Sequence, residues 1–143
     1  MNIQEKIMIT VTASVNAPID KVWEFWTGTE HICRWNNASN DWHTTRAENN
    51  LQVGGKFLSR MEAKDGSMGF DFEGTYDAVK TNELIEYSII GGRKVIIKFS
   101  FENNQTTIIE TFEAEAINSV ELQKNGWQSI LNNFKSYSET TFS

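Results

Sequence analysis

The chain has 143 residues, and 13 lysines and arginines against 19 aspartates and glutamates leave it at −6, with a pI near 4.9. Folding at this length buries roughly 70% of the surface the unfolded chain exposes. That is enough for one core without disulfide or metal, so the chain reads as one domain over 1–143. The acidic balance argues against nucleic acid or an anionic membrane as partner, because both need a basic stripe. Cys33, the one cysteine, excludes an intrachain disulfide framework and a multi-cysteine zinc site.

In chain order, Glu5 to Ser14 alternates Ile7, Ile9, Val11 and Ala13 with Met8, Thr10 and Thr12, the period of a half-buried strand. Pro18 suits a first helical turn with Asp20 just behind it. Ile19, Val22, Trp23 and Trp26 then share one face of a short helix that Gly28 ends. Thr29 can cap a second short helix, Glu30 to Trp35. Asn36 to Asn50 reads as loop with a short strand around Trp42 to Arg46, and Gly54-Gly55 as a turn.

Phe57 to Glu62 is a strand, and Lys64-Asp65-Gly66-Ser67 a hairpin turn. Met68 to Lys80 is the longest strand, with Phe70, Phe72, Gly74 and Tyr76 on one face. After Thr81-Asn82 comes Leu84 to Ile90, with Ile85, Tyr87 and Ile89 on one face. Gly91-Gly92 turns the chain into Val95, Ile97, Phe99 and Phe101. Asn103-Asn104 turns it again into Ile108, Glu110, Phe112 and Ala114. A last helix opens with Asn118 as N-cap and Glu121 completing a capping box. It presents Trp127, Ile130, Leu131, Phe134 and Tyr137 inward. Consecutive hairpins imply an antiparallel sheet, on which the long helix must bury its stripe.

These features resemble a known superfamily. A strand, Ala17-Pro18-x-x-x-Val22-Trp23, Trp35, Gly54-Gly55-x-Phe57 and a terminal helix carrying Gly126-Trp127 are similar to START-like SRPBCC proteins. The nearer likeness is to the bacterial branch named after activators of the heat-shock-protein-90 ATPase. It is carried by Arg60 to Ser67, Gly69 to Tyr76, Gly92 to Val95, Glu110 to Glu113 and Gly126 to Leu131. The resemblance implies an α+β helix-grip fold, a curved antiparallel sheet around the C-terminal helix with two short helices after the first strand. It also implies an apolar ligand between helix and sheet, since members hold sterols, lipids, polyketides or plant hormones. The eukaryotic activators carry a further domain that docks on the chaperone, for which 143 residues leave no room.

Seventeen aromatic residues against five leucines make either a bulky core or a ring-lined pocket. Trp35, Trp42, Phe57, Met61, Phe70 and Phe72 are candidate pocket residues from the first half of the chain. Phe99, Phe112, Trp127 and Leu131 follow from the second. Tyr76, Tyr87, Arg93 and Glu110 would supply polar groups. Glu110 is the sharpest of these, because a carboxyl on an apolar face is costly unless it is paired. Bonds to Tyr76, Tyr87 or the Trp127 indole would satisfy it, and Arg93 is a further candidate partner. Gly126 would allow either close approach of helix to strand or free space beside Trp127.

His31, His43 and Cys33 are too few for a zinc site, and no nucleotide, metal or flavin is implied. The polar N-terminus lacks a signal-peptide core and no apolar run spans a bilayer, so the expected location is the cytoplasm. Lys94, Lys98 and Glu73 break up the outer sheet face. The reading is a binding protein for a small apolar or aromatic molecule, monomeric or weakly dimeric. Two alternatives stay open: a cyclase, isomerase or hydrolase using Glu110 as acid–base, and a stress-related interaction module.

Overall fold

A computed structural model describes residues 6–143. Glu5, where the first strand was expected to begin, lies outside that range. The elements are β1 (Met8–Val15), α1 (Ile19–Thr27), α2 (Thr29–Trp35), β2 (Trp42–Asn49), β3 (Lys56–Ala63), β4 (Gly69–Lys80), β5 (Leu84–Ile89), β6 (Lys94–Glu102), β7 (Gln105–Glu113) and α3 (Val120–Phe142). All seven strands form one antiparallel sheet in the order β1-β7-β6-β5-β4-β3-β2. The sheet curves around α3, and α1 and α2 link its two edge strands. This is the helix-grip fold.

The turns follow from residues that tolerate left-handed backbone. Gly91 and Gly92 have φ of 104° and 99° between β5 and β6, and Asn103 and Asn104 have φ of 54° and 62° between β6 and β7. Register then aligns the concave face in rows. Ile9, Phe112, Val95, Tyr87 and Tyr76 form one row. Val11, Glu110, Ile97, Ile85 and Val79 form the next. Glu110 is the only polar member of its row. On the convex face the exposed Lys94 meets Asp77 at 3.2 Å.

Several local details differ from expectation. Ser119, not Asn118, caps α3, its hydroxyl accepting from the Leu122 amide at 3.1 Å. Glu121 therefore falls one position short of a capping box. Pro18 stands at the N-cap of α1 rather than inside its first turn. Gly28 occupies the N-cap of α2, with Thr29 already helical and making no side-chain cap bond. The stretch taken as mostly loop is the full strand β2. It pairs with β3 from Trp42 to Asn49 and carries a bulge between Thr44 and Arg46, which breaks the alternation there. Ile7 and Phe70 share parity with inward neighbours, yet are 55% and 49% exposed.

The core lies under α3 and around α1. Phe134, fully buried, meets the rings of Trp26 and Trp35 at 4.8 and 4.9 Å. Side-chain bonds from α3 hold the short helices. Asn133 Nδ2 donates to the Trp35 carbonyl at 3.0 Å, and His31 Nδ1 and the Tyr137 hydroxyl lie 2.6 Å apart. Gln123 ties down the loop before α3 by accepting from the Glu115 amide and donating to the Asn118 carbonyl, both at 2.8 Å.

Gly74 is required on packing grounds. A Cβ there would press into the Ser88 carbonyl and stand 2.9 Å from the Phe57 ring. Gly74→Ala should therefore cost about 1–3 kcal/mol in urea unfolding, with Phe57 pushed off β4. A neutral result would show that the ring moves aside freely.

Candidate functional site

The backbone of α3 comes closest to the sheet along β1. On the side toward β2–β5 a cavity of about 210 Å³ remains between sheet and helices. Its floor is Ser59 and Met61 from β3, Ile85 from β5 and Ile97 from β6. Trp26 and Trp35 close it from the short helices, and Trp127 and Ile130 from α3. Phe57, Phe72, Tyr76 and Tyr87 form an aromatic wall, with Phe57 and Tyr87 edge-to-face at 4.7 Å. Glu48 and Asn49 of β2 and Asn36 at the end of α2 complete the lining.

Trp127 is positioned by stacking. Its indole lies flat on Phe112, with centroids 3.9 Å apart and planes 11° apart. One edge thus faces Phe72 at 6.3 Å. Tyr76 is fixed by donating its hydroxyl to Asn49 Oδ1 at 2.6 Å. Burial pushes the Tyr76 phenol above its ordinary range, and burial with the neighbouring Glu110 does the same to Tyr87.

Glu110 is 6% exposed and borders the cavity. Among the described residues its carboxyl has no hydrogen-bond or ion-pair partner. Burial of the side chain raises its pKa from 4.5 to about 8. The bonds considered for it to Tyr76, Tyr87 or Trp127 are not formed. The pairing with Arg93 is not formed either. Glu110 sits opposite Ile97, four residues or about 13 Å along the strand from Arg93. The Arg93 guanidinium instead donates to the Glu113 carbonyl at 3.3 Å.

Of the residues singled out in the sequence, Trp35, Phe57, Met61, Phe72, Tyr76 and Tyr87 border this cavity together with Glu110 and Trp127. The other six lie elsewhere. Phe99 packs on Trp23 at 5.3 Å, in the solid core. Leu131 and Phe112 are fully buried, Phe112 beneath Trp127. Trp42 and Phe70 meet each other at 5.9 Å, away from the cavity. Arg93 borders a second, shallow cleft with Glu115, Gln123 and Gly126, and Phe72 and Trp127 stand between the two spaces.

Trp26 and Ile32 were missed as lining residues, although the helical stripe already placed Trp26 on an inward face. Ile85, Ile97 and Ile130 lay on inward faces but were not assigned to a site, and Ser59 shares the parity of Phe57 and Met61 on β3. Asn36, Glu48 and Asn49 carry no pattern that marks them. No alternation could reveal a wall built from a helix end and an edge strand.

Gly126 is not a point of close approach. A Cβ there would meet nothing within 4 Å. With no clash to offset the gain in helix propensity, Gly126→Ala should stabilise the fold by about 1 kcal/mol, read from the urea midpoint. A loss of stability would mean that the helix packs more tightly there than the structure shows.

Among the described residues no cluster of three His, Cys, Asp or Glu side chains is placed to hold a metal ion. No described helix is long and apolar enough to cross a membrane.

Residues 16–139 match the family described as activator of Hsp90 ATPase homolog 1-like protein. A solution structure of an AHSA1-like protein from Aeromonas hydrophila is similar over 94% of each chain, with 42% identity and a TM-score of 0.89. A protein from Cytophaga hutchinsonii is 53% identical over 93% of this chain and 92% of its own, with a TM-score of 0.81. A protein from Chromobacterium violaceum, 18% identical, shares the fold over 93% of this chain and 98% of its own at a TM-score of 0.84. No curated protein matches. The family match covers most of the sequence and the relatives' structures repeat the helix-grip architecture, so the chain belongs to the activator of Hsp90 ATPase homolog 1-like family within the START-like superfamily.

Proposed function

We propose that this protein binds a small, largely aromatic molecule in the space between the sheet and α3. The observation that carries this reading is the cavity itself. Seven aromatic side chains border it, and a buried carboxyl without a partner faces it. Ligand pockets are mostly apolar and aromatic, with a few polar groups that set orientation. An apolar cavity of about 150 Å³ in a protein interior is enough for benzene, so about 210 Å³ suits a ligand of one or two rings. In a protein with no such role, filling the space with larger side chains would be favourable. Here Ser59 and Ile97 leave it open.

Three of the five tryptophans, Trp26, Trp35 and Trp127, border the cavity and report on it. Native mass spectrometry of the purified protein should show an added small-molecule mass. Intrinsic fluorescence should respond saturably to one-ring and two-ring compounds. Ser59→Phe, which places a ring in the cavity, should abolish both. A protein that carries only its own mass, and whose fluorescence ignores every such compound, would contradict the proposal.

A further inference from the structure

We infer that the ligand is an aromatic amine, whose ammonium group pairs with the Glu110 carboxylate while its ring packs among the aromatic walls. This rests on reading the cavity as a ligand site and names the chemistry that site selects.

The ionisable groups bordering the cavity are Glu110 on β7, Glu48 on β2, Tyr76 on β4 and Tyr87 on β5. From α1, α2, α3, β3 and β6 the cavity receives no charged side chain. Arg93 lies in the second cleft, beyond Phe72 and Trp127, where its guanidinium bonds the Glu113 carbonyl. The Glu48 carboxylate is 64% exposed and paired with Arg46 at 3.7 Å, so it belongs to the solvated rim. Glu110 is the one buried carboxyl that borders the space, and no cation is among the lining residues. An anionic ligand would meet that carboxyl and no cation. A neutral ligand would leave Glu110 protonated and use it only as one hydrogen-bond partner. An ammonium supplies what the site lacks, because it offsets the cost of a buried carboxylate and is attracted to the faces of surrounding rings. The net charge of −6 favours encounter with a cation over an anion.

Protons give the inference a signature. In the free protein Glu110 titrates at about 8, so below that pH an arriving ammonium must displace the carboxyl proton to form the pair. Binding then releases one proton, and affinity rises as pH rises toward 8. A neutral isostere requires the protonated carboxyl, and its affinity falls above that point.

The probes are phenethylamine, phenethyl alcohol and phenylacetate, matched in ring and nearly in length, titrated by tryptophan fluorescence. Phenethylamine should bind about fifty-fold more tightly at pH 8 than at pH 6. Phenethyl alcohol should be flat to pH 7 and weaken above pH 8, and phenylacetate should not bind. Glu110→Gln should cost phenethylamine at least tenfold, erase its pH dependence and spare phenethyl alcohol. If amine and alcohol share one affinity and one pH profile, or phenylacetate binds best, the amine assignment is overturned while the cavity remains a ligand site. If none of the three binds to either protein, both readings fall.

Discussion

Glu110→Gln should make the protein more stable, by about 2–4 kcal/mol at pH 9 and by less than about 1 kcal/mol at pH 5. The native carboxyl titrates at about 8, against 4.5 in the absence of burial. Between those values the folded state holds a proton that the unfolded state has lost. Stability therefore falls as pH rises through this window and levels off above it. A shift of about 3.5 units is worth close to 5 kcal/mol, and the buried amide of the variant returns part of that. The other displaced carboxyls act elsewhere. Glu62, Asp65, Asp77 and Glu139 are held below their ordinary values by hydrogen bonds, so they withdraw stability only as pH falls into the acid range. Tyr76 and Tyr87, pushed upward, act only in strong alkali. Wild-type stability should thus peak near pH 5, and urea midpoints from pH 5 to 9 for both proteins would show it. Parallel curves would mean that Glu110 is hydrated or paired in solution.

Phe134→Ala should have an effect of similar size and opposite sign. The Phe134 ring is fully buried and stands edge-on to Trp26 and Trp35, which makes it the point where α3 grips both short helices. Removing a ring from such a place costs about 3–5 kcal/mol, or roughly 10–20 °C in melting temperature for a chain of this length. Phe142, at 46% exposure near the end of the same helix, is the control, and its alanine variant should stay within about 0.5 kcal/mol of wild type. A small loss at Phe134 would mean that α1 and α2 close the core without α3. The cavity would then lack a rigid roof.

Much of the fold was legible because its signals are local. Glycine and asparagine pairs mark the β5–β6 and β6–β7 turns, and strict alternation in β5, β6 and β7 fixes which side chains face inward. That alternation put Glu110 on the concave face from sequence alone. Legibility failed where tertiary context overrides local pattern. Phe70 has the parity of Phe72, but it sits near the exposed end of β4 against Trp42. Only the stretch around Trp42 to Arg46 of β2 reads as strand, because the bulge after Thr44 interrupts the alternation and the residues beyond it are polar. Arg93 shares the parity of Ile97, yet strand length separates it from Glu110 by more than a side chain can span. The cavity itself had no sequence signature. The ring count was compatible with a filled core, and only the seating of α3 along β1 shows that space remains toward β3 and β5.

A carboxyl without a protein partner faces this space. The side-chain carbon of Glu110, followed by carbon-detected NMR across a pH titration of the free protein, tests this most directly. The midpoint should fall at about 8 and should drop by about three units or more when phenethylamine saturates the site. A midpoint near 4.5 in the free protein, unmoved by the amine, would show a hydrated or already paired carboxyl and would contradict the account.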